Sequence, residues 1–504
     1  MLPIDYLYRG ALRHPDAPAL IGPRRTLSYR ALAAEVDALA AAFQGIDPNP
    51  QSRVGICGEI TEAHVLALLA TMAAGKVWVP LNPRDGREDL DAKIAATRPS
   101  IVVTDAAVRD RFTAPAEARL LIGATDAASS AADTVAGLIH AGEGTRPREP
   151  VVHLDQTQAI KFTGGTSGRP KGVLQPYRAW LTGAVSCVDA MGLTAADRYL
   201  FATPITHAAS CYITPILAVG GALVLPDGPP KAAGIIEALA EGRASMTFAP
   251  PTLLYALTAA ASAHELAFPR LRHLIYGGAP MPPERIRDAQ AVFGPVICTS
   301  YGQTEAPQMI AIAVGSDMAD EANLASVGRP TLLTRVAVMS PDGALLPPGE
   351  VGEIVVRGDL VMSGYLDNPE ATTETLRDGW LHTGDIGLVD ERGYLFLKDR
   401  LRDVIITGGF NVYPTDVEAV LARHPAVAEC CVFGSPDPKW GECVTAAVKL
   451  KSGTHATPDE IIAWSKEIQG SVKTPKTIHI LPDLPHNPVG KVLRREVCDL
   501  LGRT

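Results

Sequence analysis

The sequence predicts an α/β protein with a large N-terminal region of parallel or mixed sheets under covering helices, followed by a small α+β domain. Three observations carry that reading. Helical and strand-like segments alternate over the first 300 residues, short strands joined by turn residues follow from about position 325, and the helix–strand alternation returns from Pro414. A chain of 504 residues exceeds what one hydrophobic core organises, so at least two domains are expected, with the boundary at Arg400–Arg402.

The elements justify this in order. In TLSYRALAAEVDALAAAFQGI, Thr26 or Ser28 supplies a helix cap, and apolar residues recur at three- and four-residue steps. EAHVLALLATMAAG is a second helix ending at Gly75, followed by the strands KVWVPL and IVVT (101–104). ALVLP follows a helix near 208–219, and ASMTFAPPTLLYALTAA reads as strand, Pro turn and helix. LRHLIYGGAPMPPERIRDAQAVFG repeats the pattern, with Pro282 and Pro283 starting the helix, and PVICTSYG ends another strand. Glycine- or hydroxyl-rich loops therefore sit at the C-terminal ends of strands, where open α/β sheets bind ligands. Beyond 325, DG and PG turns join short antiparallel strands. PTDVEAVLARHP, AVAECCVFG, VTAAVKL and a helix at 458–469 then make a tail the size of a small domain.

Composition narrows the function. The net charge of −9 repels polyanions on average, so nucleic acid is not the expected partner. The eight cysteines show neither CxxC pairs nor His/Cys ligand spacing, which argues against structural zinc and for buried free thiols in a reducing compartment. The N-terminal segment carries charges and prolines, with no apolar core of signal-peptide type. The longest apolar run, Ile213 to Leu225, is shorter than a membrane span and broken by Pro215, Gly220 and Gly221. A cytoplasmic protein without a membrane span is expected.

The stretch KFTGGTSGRPKGV, Lys161 to Val173, holds four glycines, three hydroxyl side chains and three basic residues. Gly164, Gly165 and Gly168 let the backbone turn tightly and present N–H groups inward. Thr163, Thr166, Ser167, Arg169 and Lys171 add hydroxyl donors and positive charge, a set suited to a polyphosphate. By composition alone, an exposed hairpin loop is the equal alternative. A P-loop is excluded, because Pro170 precedes Lys171 and Gly172 follows it, where Gly-Lys-[Ser/Thr] would have to enter a helix. No dinucleotide fingerprint is present either.

Three further stretches accompany it: SYGQTEAPQM (300–309), GWLHTGDIGLVDERGYLFLKDRLRDVIITGGFNVYPTDVE (379–418) and LPHNPVGKVLRREV (484–497). With FTGGTSGRPKG they resemble, in order and approximate spacing, the signature motifs of the adenylate-forming superfamily, which comprises acyl- and aryl-CoA synthetases, peptide-synthetase adenylation domains and beetle luciferases. The resemblance covers nearly the whole chain. It implies a small β-barrel-like part beside the N-terminal sheets, and a mobile C-terminal domain that swings between two half-reactions. In the first, a carboxylate and ATP give an acyl-adenylate and pyrophosphate; in the second, a thiol displaces AMP.

By that resemblance, Thr163 to Lys171 grips the β- and γ-phosphates. Tyr301 and Gly302 lie at adenine, Thr304 touches the α-phosphate, and Glu305, with Thr166, holds Mg²⁺. Gly277, Gly278 and Ala279 lie against adenine and the acyl group; a plain strand-to-helix turn is the alternative for Gly277. Asp385 accepts from the ribose hydroxyls and Arg400 lies near ribose and phosphate, unless the two form only a surface ion pair. Lys491 is the catalytic lysine of the first step, bridging carboxylate and α-phosphate. Arg402 stands at the hinge. Gly408 and Gly409 line the tunnel for the thiol arm of CoA, and Trp440 lies near it or is partly buried in the core. His207 borders the acyl pocket and gates between the steps, or is structural. Its small neighbours Ala208, Ala209 and Ser210 suggest a roomy pocket.

The chain departs from the family pattern at Gly164, usually Ser, which removes one donor worth about 1.5–3 kcal/mol to a charged group. It departs also at Arg402, usually Asp or Lys, and at Asp399, often Gly. The expected substrates are ATP with Mg²⁺, a hydrophobic carboxylic acid (aryl, alicyclic or medium-chain) and CoA. The alternatives are loading of a separate carrier protein, specialisation for one half-reaction, or nucleotide binding without turnover. The acid itself and the assembly state, a homodimer among the options, are not legible.

Overall fold

In a computed structural model, the structure describes residues 1–123, 132–163, 170–263, 266–408, 410–486 and 492–502, with the backbone alone at position 402. The chain divides into two compact units, Met1–Val336 with Val356–Leu381, and Ala337–Val355 with His382–Thr504.

The first unit holds two large mixed sheets. The nine-stranded one runs Arg329–Pro330, Ala311–Ala313, Ile297–Tyr301, His273–Gly277, Met246–Phe248, Arg198–Leu200, Ala222–Val224, Pro18–Ile21, Thr26–Ser28. Its interior pairs are parallel, from Ile297–Tyr301 across to Pro18–Ile21, and antiparallel strands close both edges. The seven-stranded sheet runs Gly364–Tyr365, Lys171–Pro176, Thr157–Thr163, Val77–Leu81, Arg53–Cys57, Ile101–Thr104, Arg119–Ile122. Helices fill the crossovers, as parallel pairing requires.

Local chemistry explains the boundaries. Ser28, not Thr26, caps the helix Tyr29–Ile46, its Oγ accepting from the Ala31 N–H at 3.2 Å, because Ser28 ends its strand immediately before the first helical residue. Thr61 does the same for Glu62–Ala73. That helix buries every residue after Glu62 against Tyr29–Ile46 and the strands Arg53–Cys57 and Val77–Leu81, which is why its sequence is apolar all round. Gly75 follows at φ +70°, a left-handed turn that leads directly into Val77–Leu81.

The strand Arg198–Leu200, which leads towards His207, is anchored by Asp197. This fully buried carboxylate accepts from the Thr194 N–H (2.8 Å), Ser245 Oγ (2.9 Å) and Arg272 Nη1 (2.5 Å). Burial pushes its pKa up, but these donors outweigh burial and hold it below the ordinary carboxylate range. A depressed folded-state pKa stabilises above the unfolded value and is lost as pH falls through the folded one. Asp197→Ala is expected to cost about 2–3 kcal/mol at neutral pH, read from the denaturation midpoint, and the gap to wild type should shrink below about pH 4.

In the second unit, the hairpin Trp380–Val389 with Leu395–Arg400 is antiparallel, with Asp385 opposite Arg400. Gly352–Arg357 and Leu395–Arg400 flank Trp380–Val389 in its sheet. A further five-stranded sheet runs Phe410–Val412, Ile405–Thr407, Gly441–Leu450, Val427–Asp437, with Thr477–Ile480 added parallel to Gly441–Leu450. Pro414–Leu421 and Pro458–Lys473 cover it through Val417, Leu421 and Ile461. Thr457 and Glu460 form a reciprocal cap at the start of the second of these helices, and Gly470 at φ 75° interrupts it near the end expected at 469.

All eight cysteines are free; Cys57, Cys187, Cys298 and Cys431 are buried and the others half-buried. Burial pushes the Cys57 and Cys298 thiols up to about 12, so they are inert. Among the described residues no helix is long and apolar enough to cross a membrane.

Candidate active site

Parallel pairing places the C-terminal ends of several strands side by side. His273–Gly277 and Ile297–Tyr301 are neighbours with Gly277 opposite Ser300, so the segments YGGAP and SYGQTE emerge together. Gly277 has a structural reason to lack a side chain: a Cβ there would lie 2.5 Å from the Ser300 carbonyl oxygen. Gly278 is exposed at φ +81° with open space around it, and Ala279 is half-buried. Tyr301 is nearly buried. Gly302 is fixed sterically, because a Cβ would meet the Gln308 backbone at 2.3 Å as the loop folds back. Gln308, itself at φ 60°, donates through Nε2 to Ser300 Oγ (2.8 Å), which also meets the Tyr212 hydroxyl (3.0 Å).

The glycine-rich stretch is closed by a hairpin. Thr157–Thr163 and Lys171–Pro176 pair antiparallel with Thr163 opposite Lys171, and Lys171 opens a strand, not a helix. Gly164, Gly165, Thr166, Ser167, Gly168 and Arg169 lie outside the described residues. At the base of the hairpin, the Lys171 ammonium sits over the Tyr365 ring, 5.1 Å from its centroid. The Tyr365 hydroxyl donates to Glu305 Oε1 at 2.7 Å, and the Met362 N–H donates to the Glu305 carbonyl at 2.8 Å. Gln175 Nε2 donates to the Thr304 carbonyl at 2.8 Å. Burial and the Glu305 carboxylate push the Tyr365 hydroxyl well above its ordinary pKa, so it remains a donor. The hairpin and the TE segment, far apart in sequence, are thereby joined. Among the described residues Glu305 has no cationic partner. A half-buried carboxylate in that condition, beside a lysine-bearing hairpin, fits a divalent cation carried by phosphate.

His207 follows the strand Arg198–Leu200 at the same sheet edge, above the buried stack Tyr199, Tyr212 and Phe248 (centroids 5.3 and 5.9 Å). The residue is exposed. Its Nδ1 meets Thr206 Oγ1 at 2.8 Å. Crowding and the neighbouring Lys161 ammonium depress its pKa to about 4, so the imidazole is neutral at pH 7. Of its small neighbours, Ala209 and Ser210 are buried and only Ala208 is partly open.

In the second unit, Arg400 Nε contacts Asp385 Oδ1 at 2.7 Å; the carboxylate is buried at 5% exposure and the Asp385 N–H donates to Thr383 Oγ1 (3.0 Å). A buried acceptor of this kind differs from a solvated surface pair. Gly408 has φ +56°, and a Cβ there would stand 2.7 Å from the Trp440 ring, while its N–H donates to the Trp440 carbonyl at 2.9 Å. Trp440 is 47% exposed, so it is not a core residue. Gly409, Lys491 and the Arg402 side chain lie outside the described residues. Sequence reasoning missed Tyr365, Gln175 and Lys161, whose partners are brought in from distant segments, and Gln308, whose contact with Ser300 depends on the loop folding back.

Residues 7–366 match the AMP-binding enzyme family and residues 416–491 the AMP-binding enzyme C-terminal domain. The chain is 34% identical over 491 residues to a feruloyl-CoA synthase of Amycolatopsis sp., covering 97% of each. It is 30% identical to the fatty acid–[acyl-carrier-protein] ligase ScoC of Streptomyces coeruleorubidus, covering 97% of this chain and 94% of that one. The solved amide bond synthetase McbA of Marinactinospora thermotolerans superposes with a TM-score of 0.87 at 30% identity, covering 99% of this chain and 100% of that one. With the family match spanning most of the sequence and the fold shared along it, the chain belongs to the AMP-binding enzymes, in the branch of AMP-forming acid–CoA ligases.

Proposed function

We propose that the protein activates a hydrophobic carboxylic acid with ATP and passes the acyl group to CoA, releasing AMP and pyrophosphate. The observation that supports this most is the joining of Lys171 to Glu305 through Tyr365, beside the paired ends of the YGGAP and SYGQTE strands. This supports a reading in which Lys171 meets phosphate and Glu305 a metal, beside backbone open to a flat base.

In this reading the hairpin loop with Lys171 holds the β- and γ-phosphates, where negative charge grows as pyrophosphate leaves. Glu305, with Thr166, would hold Mg²⁺, which supplies charge neutralisation on the phosphate oxygens when bound. Asp385 accepts from the ribose hydroxyls. Lys491, carried on the mobile tail, stabilises the charge shared by the attacking carboxylate and the α-phosphate. Gly408, Gly409 and Trp440 border the path of the CoA thiol arm. Neutral His207 faces the acid and adds no charge that would hold its carboxylate away from phosphorus.

The feruloyl-CoA synthase relative favours an aryl acid within the hydrophobic class. The ScoC relative keeps a second reading in view, with the pantetheine of a separate carrier protein as the acceptor. A panel of aryl, alicyclic and medium-chain acids, assayed for pyrophosphate and AMP with CoA, without CoA and with a carrier protein, decides. We expect acid-dependent AMP release and thioester on free CoA. Absence of both AMP and thioester across the panel would refute the proposal, and thioester on the carrier alone would favour the second reading.

A further inference from the structure

Lys161 lies in the middle of the strand Thr157–Thr163, two residues before the phosphate loop begins, and is buried at 6% exposure. A buried lysine needs partners for its ammonium. Among the described residues it has no carboxylate. Instead Nζ donates to Ser210 Oγ at 2.7 Å and to the His207 carbonyl at 3.2 Å, and Ser210 Oγ donates in turn to the same carbonyl at 2.8 Å. The rest of the charge faces two indoles, Trp78 at 5.1 Å and Trp180 at 5.3 Å, which are set edge-to-face with centroids 5.9 Å apart. Burial lowers the Lys161 pKa, and the two aromatic faces and two oxygens are the groups that favour the charged form.

We propose that Lys161 is a positioning residue for the acid site, its buried ammonium tying the strand that opens the phosphate loop to the His207–Ser210 turn. This rests on the reading of His207 as a wall of that site. One side chain then sets the distance between the two halves of the reaction, the phosphate grip and the acyl wall. Its charge also bears on the imidazole of that wall. The charged groups around the imidazole are Lys161 on its strand, and Asp85 and Lys93, which pair with each other at the helix Arg87–Thr97. Asp85 would favour a protonated ring, while Lys161 and Lys93 oppose it. Desolvation of the ring does most to keep it neutral, and the Lys161 ammonium adds to that.

The test compares Lys161→Met and Lys161→Arg in the full chain. For Lys161→Met we expect the KM for the acid to rise about tenfold with the KM for ATP within about twofold, and Lys161→Arg to restore most of the loss. The His207 ring resonance, assigned with His207→Gln, should move in Lys161→Met, which loses the bond from Nζ to the His207 carbonyl, and return towards its wild-type position in Lys161→Arg. An unchanged acid KM, or an unmoved His207 resonance, in Lys161→Met overturns the proposal. Should Lys161→Met fail to fold, the same two readings on Ser210→Ala, which removes the hydroxyl that accepts from Lys161 Nζ, decide. That resonance needs no substrate, so it remains readable even if no acid in the panel is turned over, which separates failure of this inference from failure of the CoA ligase reading.

Discussion

Lys491→Ala is expected to slow acyl-adenylate formation by about 10²–10³-fold while leaving thioester formation from pre-made acyl-adenylate within about twofold. The two steps make different demands. In the first, a carboxylate oxygen approaches an α-phosphate that already carries negative charge, and an ammonium between them stabilises a geometry that neither ground state has. In the second, a thiol attacks a neutral carbonyl and AMP leaves, and an ammonium fixed at the first position offers little. Loss of stability does not blur the comparison. The flanks of residue 491 are held independently: His486 bridges Val492, the Leu493 N–H donates to the Pro485 carbonyl at 2.9 Å, and Leu484 and Val497 are buried in a small apolar cluster. Arg494 is locked by Asp403 (2.6 Å) and Glu418 (3.0 Å). Single-turnover assays with ATP plus acid, and separately with synthetic acyl-adenylate plus CoA, make the measurement. Equal loss in both would remove Lys491 from its assigned role.

What could be read before the fold was known divides along sequence distance. Periodicity located the helices at 29–46 and 62–73 and the strands VWVPL and IVVT, because their burial is local. The order of residues in GRPKG excluded a P-loop, and the structure carries Lys171 into a strand. The strand ends YGG and SYG could be named as ligand positions, since parallel crossovers bring such ends to one edge. Their adjacency, Gly277 opposite Ser300, was not legible, because it depends on which strands become neighbours. Tyr365 shows the limit most clearly. It sits in a two-residue strand, 60 positions from Glu305, and nothing local marks it. Lys161 was concealed differently. In a strand, alternation leads one to expect a lysine to face water, and only the approach of Trp78, Trp180 and the 207–210 turn makes this one internal. Gly277 carries the converse lesson. Its absent side chain was assigned to a ligand, and the neighbouring strand already requires it.

That same Tyr365 link sharpens the second large effect. Glu305→Gln preserves size and leaves an amide oxygen able to accept from the Tyr365 hydroxyl, so the loop should keep its shape, but it removes the charge. Changing a residue that only orients a metal ligand costs about 10–100-fold. Removing the charge of the ligand itself is therefore expected to lower kcat/KM at about 1 mM Mg²⁺ by about 100-fold, with part of the activity returning as Mg²⁺ is raised. Tyr365→Phe, which loses only the orienting bond, should cost about tenfold and leave the Mg²⁺ dependence nearly unchanged. The check is a Mg²⁺ titration of pyrophosphate release for wild type and both variants. If Glu305→Gln shows the wild-type Mg²⁺ dependence, the carboxylate is not a metal ligand, and the Lys171–Tyr365–Glu305 chain serves only to brace the hairpin against the loop.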